Sequence, residues 1–286
     1  MLKKVLYRLS LSIILTLILH DLSYALNVEL APKEVFPGDL FLLKIKVDKS
    51  SPDSPDSPNA EFAGKMIDVY QDAADHFIAL VPVDIDTSPE KYTIKVKSGM
   101  NEKIAHIRVK PYKFLTKKIT LPEEKVTLSA EDLERSKRET ELLESILSRN
   151  TERVWNRSFI KPTDTALSET FGVKRIMNGK RTSIHRGIDY KGETGTPIKA
   201  VNSGRVVLRD ELFFGGNTLV IDHGMGLFSI YMHLAEFHVS SGETVSKGQV
   251  IGLVGKTGRA TGPHLHFGIK LQGVNVNPEA LFKLEL

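Results

Sequence analysis

The sequence predicts a mainly β protein in three parts: a small β-sandwich of immunoglobulin-like architecture over residues 26–112, a linker with a helix over 113–160, and an antiparallel β domain over 161–286. Three observations predict it. In the first part apolar residues alternate, with Phe41, Leu43, Ile45 and Val47 in one run, Tyr92, Ile94 and Val96 in another, and Ile107 and Val109 in a third. That period of two belongs to half-buried strands, and several short runs of it suggest a sandwich. In the second part Ser129-Ala-Glu-Asp132 fits a capping box and opens a charge-rich stretch to about Asn150. In the third part Gly204, Gly224, Gly242, Gly248 and Gly255 punctuate apolar runs, as tight turns between strands require.

Taken in order, the chain starts with Lys3, Lys4 and Arg8 ahead of an apolar run from Leu9 to Leu19, then Ser23-Tyr-Ala25. This is the pattern of a secretory signal with its cut expected after Ala25, and residues 1–25 are assigned to it. The run is shorter than the roughly 20 residues of a spanning helix, and no later segment suits a membrane span; a retained N-terminal anchor is the alternative. The chain has no Cys, which removes both a lipid-attachment site and any disulfide framework. Pro37-Gly38 marks a turn before the first alternating run, and the Pro/Ser/Asp repeat at Ser50–Pro58 reads as a loop between strands. The helix has a narrow apolar face of Leu133, Leu143, Ile146 and Leu147, and Trp155 and Phe159 are expected to anchor the chain where it enters the last domain. Strands are expected over 204–208, 218–221, 228–232 and 250–254. The net charge of +4 is modest and suits anionic polymers. No dense basic stretch or base-stacking motif points to nucleic acid.

Chemistry concentrates in three fragments: His185-Arg-Gly-Ile-Asp189, His233 in Tyr-Met-His-Leu, and Pro263-His264-Leu-His266-Phe. In an extended strand His264 and His266 project to one side and Leu265 to the other. His185 and Asp189, four apart, share a face in either strand or helix. Zinc takes imidazole nitrogen and carboxylate oxygen, and a catalytic site uses three protein ligands with one position open for water. Five candidate groups for three places leave two spare, enough to handle a proton and to stabilise developing charge. Spacing does not choose which of His264 and His266 is a ligand. His20, His76, His106 and His238 lie outside the constellation and are read as ordinary surface or core residues.

These residues resemble peptidase family M23, the zinc peptidoglycan endopeptidases of the lysostaphin and LytM type. The resemblance extends through Phe171-Gly172, Gly195–Ala200, Gly204–Val207, Gly216-Asn217, Gly242–Gly252, Gly255–Gly258, Thr261–Pro263 and Val276–Pro278, roughly the last 120 residues. It implies that His185, Asp189 and His266 hold Zn2+, with His264 as general base and His233 stabilising the tetrahedral intermediate. One position departs from the family, since Gly268 stands where an acidic residue is common. Tyr231, two residues before His233, is expected to line the substrate groove if that segment is a strand. His223, in Asp222-His-Gly224, is read as structural, with a groove position as the alternative.

The resemblance implies an enzyme that hydrolyses peptide cross-links in peptidoglycan, and the signal pattern at the start of the chain points to an exported protein of the periplasm or cell envelope. A D-alanyl to diaminopimelate link is preferred over a glycine bridge, because no wall-targeting SH3-like domain follows. Relatives that have lost metal ligands serve as activators of cell-wall amidases, which is the competing reading. Here all five positions carry the hydrolytic residue type, and the linker is expected either to pack lightly on one domain or to shield the groove.

Overall fold

The computed structural model describes residues 26–47, 57–120, 122–123, 126–156 and 158–286. The secretory-signal assignment and all but the last two residues of the Ser50–Pro58 loop lie outside the described residues. The N-terminal strands are β1 (Leu26–Ala31), β2 (Glu34–Val35), β3 (Leu40–Val47), β4 (Asn59–Phe62), β5 (Lys65–Ile67), β6 (Tyr70–Ala73), β7 (His76–Pro82), β8 (Lys91–Ser98) and β9 (Asn101–Val109). They form two sheets, β1-β3-β7-β6 and β2-β9-β8-β4-β5, antiparallel except for the β2–β9 pair. Between the sheets lie Phe41, Leu43, Ile45 and Val47 together with Ile94, Val96, Ile107 and Val109. The alternation read from the sequence therefore points into a closed core.

Alternation fails at the start of β3, where Leu40-Phe41-Leu42-Leu43 is buried on both faces. Leu40 and Leu42, with Ile78 and Leu80 of β7, point outward and join the core cluster of the C-terminal domain. Burying side chains of this size is worth roughly 1.5–3 kcal/mol each. The sandwich is thus docked through an apolar seam rather than merely tethered. Asn277 strengthens the seam: its backbone N–H donates to the Gly38 carbonyl at 2.7 Å, and its side-chain amide donates to Asp39 Oδ1 at 3.2 Å.

The connecting segment holds β10 (Thr116–Ile119) and α1 (Ala130–Leu147). Ser129 caps α1, its Oγ accepting from the Asp132 N–H at 3.0 Å. Its apolar burial is at the C-terminal end: Ile146 and Leu147 pack on Leu208, Leu212, Val220, Phe228 and Ile230, whereas Leu133 stays exposed. Trp155 and Phe159 are buried in the main C-terminal core.

The C-terminal strands are β11 (Leu167–Glu169), β12 (Lys174–Met177), β13 (Arg181–Ile184), β14 (Ile188–Lys191), β15 (Pro197–Lys199), β16 (Gly204–Leu212), β17 (Gly216–Gly224), β18 (Leu227–Phe237), β19 (Thr244–Val245), β20 (Val250–Val254), β21 (His264–Leu271) and β22 (Val274–Val276), followed by α2 (Pro278–Phe282). The main sheet runs β11-β14-β21-β18-β17-β16-β19, with β15, β20 and β22 at its margins. A separate sheet, β10-β12-β13, stands beside it. Its β10 comes from the connecting segment and pairs in parallel with β12. No helix among the described residues is long and apolar enough to cross a membrane.

Candidate active site

Three neighbouring strands bring the fragments together. β21 alternates so that Leu265 and Phe267 enter the core while His264 and His266 face the opposite side. Asp189 of β14 pairs directly with His266, and His266 pairs with Met232 of β18, next to His233. His185 sits just before β14 and is reached through Gly187. A Cβ on Gly187 would lie 2.5 Å from the Phe267 carbonyl oxygen and 2.8 Å from His266 Nε2. Only glycine lets the His185–Asp189 loop pass so close to the imidazole.

His185, Asp189 and His266 form a group able to hold a metal ion. His185 Nε2 lies 2.9 Å from Asp189 Oδ1 and 3.0 Å from His266 Nδ1, and His266 Nδ1 lies 2.8 Å from Asp189 Oδ1. On its far side His185 Nδ1 donates to the Thr170 carbonyl at 2.9 Å, which leaves a lone pair on Nε2 in the neutral ring. That lone pair faces a carboxylate oxygen, and a cation between them relieves the repulsion. Burial pushes the His266 imidazole toward its neutral, ligating form and outweighs the nearby Asp189. Burial alone raises the Asp189 carboxyl, but the contacts with His185 and His266 outweigh it and hold the group ionised far below the usual carboxylate range. A buried set of two imidazoles and one carboxylate suits zinc.

His233 and His264 stand beside this group, their ring centroids 4.7 Å apart. His233 Nδ1 donates to the Thr257 carbonyl at 2.9 Å and His264 Nδ1 to the Gly262 carbonyl at 2.9 Å. Carbonyls only accept, so each neutral ring offers a bare Nε2, a proton acceptor. Burial pushes the His233 imidazole down to about 4, and the ring is neutral at physiological pH. On this geometry His233 can take the role expected of it, donating a hydrogen bond to a developing oxyanion, from Nε2 when that nitrogen carries a proton.

His233 also has a left-handed backbone, with φ of 67°, and its N–H donates to the Gly215 carbonyl at 2.7 Å. Strand pairing between β17 and β18 shifts register around this point. The bulge breaks the period of two and corrects the expectation for Tyr231, which is fully buried in the core instead of lining the groove. Its hydroxyl accepts from the Val201 N–H at 3.1 Å and lies 3.1 Å from Ser229 Oγ. His223 is likewise fully buried, which removes the groove alternative. Its Nδ1 donates to the Ser203 carbonyl at 2.7 Å and its Nε2 accepts from Ser229 Oγ at 2.8 Å. Burial pushes this ring down to about 4.

The five site residues other than these two line a groove of about 1530 Å³. One wall is the β10-β12-β13 sheet, with Ile119, Arg175 and Arg181; Phe214 and residues 259–263 also line it. Sequence reasoning missed Arg175, Glu169 and Lys117. Arg175 touches Asp189, with Nη2 3.2 Å from Oδ2, and is itself held by Glu169, to which Lys117 donates at 2.7 Å. The only available signal was that Glu169 and Arg175 flank the Phe171-Gly172 motif.

Comparison with known proteins agrees with this geometry. The sequence pattern of Peptidase family M23 matches residues 183–278. Peptidoglycan DD-endopeptidase ShyA of Vibrio cholerae is 43% identical over 112 residues, which are 39% of this chain and 26% of that protein. DD-carboxypeptidase/endopeptidase Mpg of Neisseria meningitidis is 39% identical over 114 residues, 40% of this chain and 26% of that protein. The chain thus spans about a quarter of the length of the curated relatives it matches. A crystal structure described as a candidate M23 peptidase from Pseudomonas aeruginosa superposes with a TM-score of 0.63 at 29% identity, over 86% of this chain and 94% of its own. Residues 183–278 thus carry a domain of Peptidase family M23, a family of zinc metallopeptidases.

Proposed function

We propose that the protein is an exported zinc-dependent endopeptidase of the periplasm or cell envelope, hydrolysing peptide cross-links in peptidoglycan. The observation that carries this reading is the convergence of His185, Asp189 and His266 with His233 and His264 on the floor of one groove. The names of ShyA and Mpg favour a D-alanyl cross-link as the bond cut. A complete set of metal-binding and proton-accepting groups does not favour an amidase activator.

His185 Nε2, Asp189 Oδ1 and His266 Nδ1 would hold the zinc. When bound, the metal acidifies water and polarises the scissile carbonyl. His264 Nε2, with Nδ1–H fixed on the Gly262 carbonyl, takes the proton of the attacking water and passes it to the leaving amine. His233 Nε2 lies across the same cleft and, once it carries a proton, donates to the oxygen on which charge develops. The groove walls hold the peptide extended along β21.

The test uses purified sacculi and metal analysis together. His264→Ala and His233→Ala are expected to retain zinc and release no soluble peptides, with mass spectrometry of the parent protein's products identifying the bond. Parental hydrolysis by either variant defeats the assignment of roles.

A further inference from the structure

The two oxygens of Asp189 meet different surroundings. Oδ1 faces His185 and His266, whereas Oδ2 meets the Arg175 guanidinium at 3.2 Å. Arg175 Nε also donates to Glu169 Oε2 at 2.6 Å, and its Nη2 bonds the same oxygen. Lys117 Nζ closes the series on Glu169 Oε1. Strand register makes this arrangement: Lys117 of β10 pairs with Arg175 of β12, and Glu169 of β11 pairs with Asp189 of β14. Four charges therefore alternate in sign, Asp189, Arg175, Glu169, Lys117, across two sheets.

We infer that Arg175 is a positioning residue that fixes Asp189 as a one-oxygen metal ligand, and that Lys117, from the connecting segment, steadies it through Glu169. This rests on the reading of His185, Asp189 and His266 as the zinc ligands. A carboxylate whose second oxygen is capped by a guanidinium presents only the first to a metal, and its rotation about χ2 is blocked. That keeps a coordination position open for water. The Glu169 and Asp189 side chains are 11% and 10% exposed, so two carboxylates stand close together with little solvent, and one planar fork bridges them while Lys117 supplies the second positive charge. An ammonium has no such fork. Groups bonded to metal ligands commonly govern affinity by about 10- to 100-fold. Although β10 lies outside the main sheet and some 70 residues before Asp189 in sequence, it becomes part of the metal centre's support.

Zinc affinity, measured by competition with a chromophoric chelator, and the d–d absorption of the cobalt(II)-substituted full chain test the inference. Arg175→Ala is expected to weaken zinc binding about 10- to 100-fold and to lower the cobalt band intensity as Asp189 gains a second coordinating oxygen. Arg175→Lys should fall between, and Lys117→Ala should weaken binding less than Arg175→Ala. A folded Arg175→Ala with parental affinity and spectrum overturns the inference; should that variant not fold, full restoration of both readouts by Arg175→Lys overturns it instead. Asp189→Ala separates the two readings. Parental zinc binding in Asp189→Ala defeats the ligand assignment itself, whereas lost binding there with parental behaviour in Arg175→Ala defeats only the positioning role.

Discussion

The two β regions share strand alternation and a cysteine-free core, yet they differ in what they bury. Among the described residues of 26–112 the one buried polar side chain is Ser98, while the C-terminal domain buries His185, Asp189, Asn202, Thr218, Asp222, His223 and Ser229, along with Thr163. An unsatisfied buried polar group costs about 1–3 kcal/mol. A domain that buries many polar side chains must therefore supply each with a partner, as the C-terminal domain does for His185, Asp189, Thr218, Asp222, His223 and Ser229. Within the C-terminal domain the contrast sharpens further. His223 has a carbonyl on one nitrogen and a hydroxyl on the other, a closed structural arrangement. His185 has a carbonyl on one nitrogen and a carboxylate oxygen facing the lone pair of the other, an arrangement completed by a cation. Burial of histidine alone does not mark chemistry; the partner of its second nitrogen does.

The largest effect expected of this contrast is at Gly187. Gly187→Ala places a Cβ against the Phe267 carbonyl and the His266 ring, so zinc content and sacculus hydrolysis should both vanish while the sandwich stays folded, as read by metal analysis and circular dichroism. Parental zinc content would show that the loop can shift without cost. Next, Leu80→Ala opens the seam between the regions and should cost about 2–5 kcal/mol in urea unfolding. A change well under 1 kcal/mol would mean that the sandwich is only tethered.

His223 tests the structural kind of burial. Its folded pKa, about 4, lies below the unfolded value of about 6.5, so the unfolded chain takes up the proton first. Its contribution is complete above about pH 6.5 and is lost as pH falls toward about 4, a total of about 3 kcal/mol. His223→Gln should flatten that part of the stability profile, and an unchanged slope would assign it to other groups. The smallest effect is at the helix cap: Ser129→Ala should cost about 1 kcal/mol and leave hydrolysis intact, measured by thermal unfolding and peptide release.

Much of this was legible locally. The period of two placed Phe41, Leu43, Ile45 and Val47 in one core and set His264 and His266 on a common face. The unbroken run Leu40–Leu43 carried a sign of burial on both faces, but nothing in it named the C-terminal domain as the cover. Tyr231 shows where local reasoning stops, because the bulge at His233 arises from pairing with β17 and no pattern around Tyr231 announces it. The helix reading was right at Ser129 and only partly right at its apolar face, since Leu133 extends past the surface that covers Ile146 and Leu147.

By itself the sequence picked out the five side chains proposed to do the chemistry, through residue type, strand period and resemblance. Only the tertiary structure decided which histidine nitrogen is free, that Tyr231 belongs to the core, and that Lys117 and Arg175 stand behind Asp189. The physical reason is that alternation is set by each residue's own backbone, whereas tautomers, bulges and charge series are set by partners that pairing brings in from far along the chain.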